Sequence, residues 1–300
     1  HVDSSAASDV YKRQHMGRLE IQYSEIEKIS NLICSELIDI PTNKALYSIF
    51  TNEEGNALDD VIFWKFEDKI ILIPNASNLD KIKSHLTTHN VEYIDKSEDT
   101  VLIAVQGPDT IDLIQDRFEI PDKFSTNYTE NYLYARTGYT GEDGVEIMAN
   151  NEDADSLLTF LTEKGIKPCG LGSRDTLRLE ASLPLYGFEL TEDITPVEAS
   201  LSWTLTNKND YLGSERINKQ LSGENHKVLK KFIIDSRKIA RTETVAIAGE
   251  TKGLVTSGNF SPILNKSIGF ILFENMPSQD LIEFDIRGNL IEGNIVNKRF

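Results

Sequence analysis

The chain contains little cysteine, little positive charge and no long apolar run. Two cysteines in 300 residues exclude a secreted fold held together by disulfides and fit a reducing compartment, so we expect a cytoplasmic protein. Because 31 Lys and Arg stand against 48 Asp and Glu, the net charge is −17, which argues against a nucleic-acid partner. Apolar runs such as Ile70–Pro74 are far too short to cross a bilayer, so we expect no membrane partner.

Several common catalytic motifs are also missing. The sequence has no C-x-x-C, no H-E-x-x-H and no cluster of histidines, so we predict no metal ligand. It has neither a P-loop nor the G-x-S-x-G turn of an α/β-hydrolase. Gly170 and Gly172 begin a dinucleotide-like pattern, but Asp175 stands where the third glycine is needed. These absences argue against a zinc site and a dinucleotide-binding fold, and they exclude a P-loop and the nucleophile turn of an α/β-hydrolase.

The hydrophobic pattern indicates an α+β protein in which strands predominate from about residue 209 onwards. A length of 300 residues predicts two or three domains. Residues 1–14 are small and polar, and their apolar residues repeat neither at the period of a strand nor at that of a helix. We therefore interpret them as a disordered or non-native leader. Residues 15–208 mix strands and helices, whereas 209–300 consist mostly of strands and predict a separate β-domain. Within it, the pattern predicts a short helix near Ser214–Leu221 and, among others, strands over Val228–Ile234 and Leu281–Ile286.

Four segments carry clear secondary-structure signals. Ser24–Glu27 has the form of a capping box, and apolar residues at helical spacing follow it as far as Leu37. Leu58–Phe66 predicts a strand, and a glycine-rich turn over 138–144 leads into another. The spacing also predicts a helix over about Ser173–Ser182.

Two adjacent carboxylates interrupt the strand predicted over 58–66. Alternation puts Asp59 and Asp60 on opposite faces, so one should reach solvent while the other points inward with Ile62 and Trp64. An inward carboxylate is unfavourable unless it is paired or functional. The alternative, equally compatible with the pattern, is a frayed strand end with both side chains in water.

Other polar residues have simple structural interpretations when they are taken alone. Glu146 fits an exposed strand position, and Arg174 and Arg178 share a helix face, where surface ion pairs with Asp175 or Glu180 are expected. Core packing is an equally simple interpretation of three aromatic residues, Tyr139, Tyr186 and Trp203.

Longer motifs resemble a known family. Ala135–Ile147 reads ARTGYTGEDGVEI and Cys169–Ala181 reads CGLGSRDTLRLEA, and both resemble the aminomethyltransferase (T-protein) family of the glycine cleavage system. Asn52–Gly55, Leu58–Asp60 and Gly253–Gly258 fit the same family in the same order. The resemblance covers the chain from about residue 15 to the end.

The resemblance implies a three-domain folate-binding aminomethyltransferase fold of the α+β class with a C-terminal β-barrel domain. Residues 15–208 would form two intertwined domains and 209–300 the barrel. The implied reaction moves the methylene of an aminomethyl group from the lipoyl-bearing H-protein to tetrahydrofolate, the co-substrate, with release of ammonia. H-protein and folate are the implied partners.

The resemblance also implies roles for single residues. Asp60 would be catalytic, because a carboxylate can stabilise a cationic intermediate and help to move protons. Glu146 would accept hydrogen bonds from the pterin, and Arg174 suits either the lipoyl thiolate or the anionic tail of folate. Six further residues would contribute to binding: Tyr139, Tyr186, Trp203, Met16, Tyr47 and Asn75.

Departures from the family leave alternatives open. The family has a further segment before the part matched by Met16 and continues past Phe300, so we expect a fragment at both ends, with 1–14 matching nothing in the family. One alternative is another tetrahydrofolate-dependent one-carbon transferase or demethylase of the same fold. The other is a non-catalytic folate-binding factor for iron–sulfur assembly. Its Lys-Gly-Cys-Tyr-x-Gly-Gln-Glu motif is replaced here by Leu185–Glu189, and Asp60 is retained, which argues against it.

Overall fold

The computed structural model describes residues 6–8, 16–207 and 210–300, and over these residues it shows two open β-sheets and one closed barrel. The strands are β1 (Ala6–Ser8), β2 (Leu19–Gln22), β3 (Lys44–Thr51), β4 (Ala57–Lys65), β5 (Lys69–Ile73), β6 (Ile94–Asp95), β7 (Thr100–Gln106), β8 (Thr126–Tyr128), β9 (Tyr132–Ala135), β10 (Gly144–Asn150), β11 (Pro168–Cys169), β12 (Val228–Ile234), β13 (Val245–Ala248), β14 (Thr251–Ser261), β15 (Lys266–Phe273), β16 (Leu281–Ile286) and β17 (Asn289–Val296). The α-helices are α1 (Ile26–Ser30), α2 (Leu79–Thr88), α3 (Thr110–Ile114), α4 (Asn151–Glu163), α5 (Leu171–Glu180) and α6 (Ser214–Leu221). Short 3-10 helices lie at Tyr23–Glu25, Ala76–Asn78 and Ser202–Thr204.

The first open sheet has the strand order β3-β4-β5-β2-β6. Its β4 is an interior strand with apolar cover on both faces. Val61 and Phe63 pack into the core that includes Leu86 of α2. Trp64 packs on the other face in a cluster that also contains Met148 of β10. Any polar side chain on β4 is therefore placed inside a packed region and needs a hydrogen-bond partner there.

The second open sheet has the order β11-β1-β7-β10-β9-β8 and carries the glycine-rich turn between β9 and β10. Strands β7 and β10 pair antiparallel along their full lengths. The apolar face of this sheet packs against Leu157 and Leu161 of α4 and Ile114 of α3. Among the described residues, no helix is long and apolar enough to span a membrane.

The barrel closes in the order β12-β15-β14-β13-β16-β17. Phe232 and Phe284 meet in its core with ring centroids 4.7 Å apart. The predicted C-terminal β-barrel and the α+β class are thus confirmed. Within this C-terminal region, three elements have the predicted bounds: α6 (Ser214–Leu221), β12 and β16. Strand β17 was not predicted, because polar and glycine residues interrupt its alternation.

The chain divides into two compact units. Within the described residues, the first unit takes in the chain up to Phe50, Leu58–Arg174 and a short segment that ends at Tyr211. The second takes in Thr51–Ala57, Asp175–Leu205 and Leu212–Phe300. One border falls inside α5, whereas the sequence predicted a boundary between residues 208 and 209.

Two sequence predictions near the amino terminus were wrong. The helix after the capping-box sequence ends at Ser30, and no side chain caps it. The apolar residues beyond Ser30 are not helical, and Ile33 among them forms a backbone bridge with Phe50. In the predicted leader, Ala6–Ser8 form β1 and pair with β7 and β11 through backbone hydrogen bonds, which require no side-chain period. Residues 1–5 and 9–15 lie outside the described residues.

Replacing Gly258 of β14 by alanine should destabilise the barrel. A Cβ at this position would overlap the backbone carbonyl oxygen of Ala240, which cannot rotate away. Such overpacking costs about 1–3 kcal/mol. Urea unfolding followed by circular dichroism should show the lower midpoint. Leu290→Ala in β17 is the control, because Leu290 is 74% exposed and its truncation should change little. Equal midpoints for Gly258→Ala and the unmodified protein would contradict this close approach.

Candidate functional site

Asp59 of β4 is a carboxylate that is wholly buried in the first unit. Its side chain is 0% exposed and accepts hydrogen bonds from the backbone N–H of Asn75 at 2.9 Å, from Asn75 Nδ2 at 2.8 Å and from Asn78 Nδ2 at 2.5 Å. Burial, and then the neighbouring Asp60, raise the pKa of Asp59 to about 7 against the effect of these donors. Asp59 therefore titrates near neutral pH.

Asp60 is half-buried, and a neutral donor bonds to each of its carboxylate oxygens. The Tyr47 hydroxyl donates to Oδ2 at 3.1 Å, and Asn75 Nδ2 donates to Oδ1 at 2.9 Å. Met16 forms a backbone bridge with Asn75. Four residues of the predicted site, Asp60, Tyr47, Asn75 and Met16, are thus brought together by β3, β4, the chain that precedes β2 and the chain that follows β5.

The prediction for the two carboxylates was wrong in one respect. They do lie on opposite faces of β4, but the wholly buried residue is Asp59, on the face of Val61 and Phe63, and not the residue that shares a face with Ile62. Neither side chain is free in water, so the frayed-end alternative is also wrong. The reason is that β4 is covered on both faces, and the amides of the chain after β5 compensate the buried charge.

Tyr47 connects this cluster to a second group of predicted residues. Burial, and then the Asp60 and Tyr139 side chains, raise the pKa of Tyr47 well above its ordinary value, so its hydroxyl stays protonated and donates. The Arg174 guanidinium lies over the Tyr139 ring, 5.1 Å from its centroid. This distance is within the range of a cation–π interaction. Asp60, Tyr47, Tyr139 and Arg174 therefore form one neighbourhood in the first unit.

Glu146 lies in β10 and is 8% exposed, so the interpretation as an exposed strand residue was wrong. The Thr137 hydroxyl donates to Glu146 Oε2 at 2.6 Å. Among the described residues, Oε1 of this carboxylate has no hydrogen-bond partner. A buried charged acceptor with one open oxygen is suited to a ligand that presents N–H donors.

The Gln106 side chain holds the glycine-rich turn that precedes Glu146 by hydrogen bonds. Its Nε2 donates to the backbone carbonyls of Thr137 at 3.0 Å and Val145 at 3.2 Å, and its Oε1 accepts from Thr140 at 3.3 Å. A Cβ on Gly144 would overlap the backbone of Val105, which accounts for glycine there. Sequence reasoning missed the roles of Thr137 and Gln106, because a single hydroxyl or amide gives no periodic signal.

Arg178 is buried rather than on the surface. It bonds to Asp175 at 3.0 Å, as predicted, but its 3% exposed side chain also pairs with the fully buried Glu189 at 3.0 Å. Glu189 in turn accepts the backbone N–H of Leu185 at 2.9 Å. The surface ion pair predicted for Arg178 is therefore part of a buried network of the second unit.

The two remaining predicted aromatic residues also belong to the second unit. The Tyr186 hydroxyl donates to the carbonyl oxygen of Ala57 at 3.3 Å. Trp203, in the 3-10 helix Ser202–Thr204, is 65% exposed and is not a core aromatic. Their assignment to a folate pocket stays a prediction.

These features define an α+β protein with a C-terminal barrel and a carboxylate-centred site in its first unit. Family models described as "GCVT N-terminal domain" and "Glycine cleavage T-protein C-terminal barrel domain" match residues 4–209 and 227–300, and the first begins inside the expected leader. The chain belongs to the glycine cleavage T-protein family.

Individual relatives agree with this assignment. An aminomethyltransferase of Thermotoga neapolitana is 35% identical over 311 residues, covering 97% of this chain and 85% of the relative. An aminomethyltransferase of Synechococcus elongatus is 36% identical over 325 residues, covering 100% of this chain and 87% of the relative. The crystal structure of glycine cleavage system aminomethyltransferase T from Bartonella henselae has a TM-score of 0.88 at 24% identity, covering 99% of this chain and 88% of that one, and shares the fold.

The stability of the protein should fall as the pH rises through the titration of Asp59. Its pKa is about 7 in the folded chain against an ordinary value of 3.8, so between these values the folded state binds the proton more tightly. The contribution is fully present below about pH 4 and is lost as the pH reaches 7, a change on the order of 4 kcal/mol. Urea unfolding from pH 4.5 to 7.5 should show this slope, and Asp59→Asn should flatten it. Parallel pH curves for the two proteins would contradict the assignment.

Proposed function

We propose that the protein is an aminomethyltransferase that uses tetrahydrofolate as its co-substrate. The methylene carbon would leave the sulfur and nitrogen of an aminomethyl-lipoyl group and form two bonds to nitrogen atoms of tetrahydrofolate. The two protons displaced from folate would go to the lipoyl sulfur and to the departing ammonia, so the transfer needs no oxidant. The names of the curated relatives support the activity. The observation that carries it is the Asp60 carboxylate held by Tyr47 and Asn75.

The residues of the first unit fit a pterin co-substrate. Glu146 offers the open Oε1 of a buried carboxylate, the acceptor that an N–H-rich ring edge requires. The Thr137 hydroxyl fixes the orientation of that carboxylate by occupying Oε2. Tetrahydrofolate, when bound, would supply the nitrogen atoms that accept the one-carbon unit.

Asp60 would act on the positive charge that develops during the transfer. Tyr47 and Asn75 hold the carboxylate by neutral hydrogen bonds, so its orientation is fixed without loss of its charge. Because the pKa of Tyr47 is raised, its hydroxyl remains a donor over the working pH range. A preorganised anion of this kind stabilises charge in the transition state more than in the ground state.

The partner and the location belong to the same proposal. The lipoyl-bearing H-protein of the glycine cleavage system would deliver the aminomethyl group, and the low cysteine content supports a cytoplasmic location. Arg174, placed over Tyr139, would bind either the lipoyl thiolate or the anionic tail of folate. Other tetrahydrofolate-dependent transfers on this fold are the alternative, and assays with different one-carbon donors distinguish them.

Asp60→Asn should abolish turnover while folate binding remains nearly unchanged. The substitution keeps the shape of the side chain but removes the charge, which is needed mainly as positive charge develops. Single-turnover transfer from aminomethylated lipoyl carrier protein to tetrahydrofolate measures the first effect, and calorimetry measures the second. Asp80→Asn, an exposed position on α2, is the control. Transfer by Asp60→Asn within a few-fold of the unmodified protein would rule out a catalytic role.

Glu146→Gln should weaken folate binding by roughly tenfold to a hundredfold. The amide replaces a charged acceptor, and a hydrogen bond to a charged group contributes about 1.5–3 kcal/mol. Calorimetric titration with tetrahydrofolate gives the change in Kd, with Glu142→Gln, an exposed position in the glycine-rich turn, as the control. An unchanged Kd would place the pterin elsewhere.

A further inference from the structure

Asp59 is a buried carboxylate for which the proposed mechanism has no use. It is 0% exposed, and its neighbours Val61 and Phe63 on the same face of β4 belong to the apolar core. A carboxylate in such a place is unfavourable and is readily replaced by an apolar residue unless it serves the site. Its side-chain contacts show what it serves.

The amide of Asn75 is shared between the two carboxylates. Asn75 Nδ2 lies 2.8 Å from Asp59 Oδ1, 2.9 Å from Asp60 Oδ1 and 3.1 Å from the backbone carbonyl oxygen of Asp60, so its two N–H bonds are shared among three acceptors. The backbone N–H of Asn75 also bonds to Asp59 Oδ2, which fixes the residue at both ends. A flipped amide would place its oxygen against all three acceptors, and Asp59, which makes the shortest of these contacts, helps to determine which end of Asn75 faces Asp60.

The surroundings of Asp59 make this anchoring depend on its charge. Three N–H groups converge on it, from Asn75 and Asn78 in the chain that connects β5 to α2, and none carries a charge. The charged group that faces it within the described residues is Asp60 on its own strand. An ionised Asp59 accepts strongly from all three donors, whereas a protonated one accepts more weakly through its hydroxyl oxygen and finds no acceptor for its own O–H among these three groups.

We propose that Asp59 is a positioning residue for the transfer reaction, which in its ionised form locks the Asn75 amide so that one N–H is directed at the Asp60 carboxylate. The inference rests on the catalytic role proposed for Asp60. Ionised Asp59 also adds negative potential behind Asp60, where positive charge develops. Both effects act in the same direction, so kcat should rise with pH as Asp59 loses its proton near neutrality.

Two variants test the lock. Asp59→Asn keeps the volume but presents an amide to donors that need acceptors, so kcat should fall by about tenfold to a hundredfold, the effect of one hydrogen bond to a charged group. The KM for tetrahydrofolate should change little, and the rise of kcat through neutral pH should disappear. Asn78→Ala removes a donor that bonds to Asp59 and not to Asp60. It should move the rise to higher pH and leave the high-pH plateau of kcat unchanged.

Leu86→Ala is the matched control for a loss of stability, because Leu86 lies in the same apolar core and its side chain takes no part in the hydrogen bonds that join Asp59 to Asn75 and Asn78. It should lower the melting temperature without changing kcat or the pH profile. A purely structural role for Asp59 predicts that Asp59→Asn behaves in the same way, and this result would overturn the proposal. If Asp59→Asn does not fold, Asn78→Ala decides, and an unmoved pH profile overturns the proposal.

The same measurements separate this proposal from the proposed function. If the unmodified protein transfers no methylene from the aminomethylated carrier to tetrahydrofolate, the function is wrong whatever the variants do. If it does, and Asp59→Asn retains the full kcat and the same pH profile, the function stands and the positioning role is wrong.

Discussion

Two adjacent carboxylates lie inside an interior strand of the first sheet, and the local structure around them follows from the need to compensate their charge. Asp59 lies in the apolar core and is satisfied by three amide N–H groups, two of them from Asn75. Those amides can reach β4 because the chain turns directly after β5 into the 3-10 helix Ala76–Asn78. The conformation of this connection and the ionisation of the strand are therefore coupled, since a change in either leaves a buried polar group without its partner.

Sequence patterns predicted an element well where its buried and exposed residues alternate regularly. Strand β16 has the predicted bounds, and in it the buried Ile282 and Phe284 alternate with exposed residues. The region after α1 shows the limit of this reasoning. Its apolar residues have helical spacing, yet they lie in an irregular segment in which Ile33 forms a backbone bridge with Phe50. Tertiary contacts outweigh a weak local preference for helix here.

The candidate site could be predicted only in part, and the missing part consists of polar side chains that act on other polar side chains. Asp60, Glu146 and Arg174 were identified because they resemble family motifs. Asn78 and Thr137 were not, because the position of a hydrogen-bond donor depends on how distant segments meet and not on spacing along the chain. Asp59 and Asp60 show the same limit. Alternation predicts that their side chains lie on opposite faces of β4, but it does not predict which face is buried more deeply.

The choice of partners for Asp60 bears on the chemistry of the site. An arginine or lysine would hold a carboxylate firmly, but it would also neutralise the charge that a developing cation needs. Here a tyrosine with a raised pKa and an asparagine donate to its two carboxylate oxygens, and neither donor carries a charge. The Arg174 guanidinium is placed over the Tyr139 ring, where its charge is available for an anionic group. The proposed reaction forms positive charge at one carbon and negative charge at a departing sulfur, and a carboxylate with neutral donors together with a cation on an aromatic face suits both.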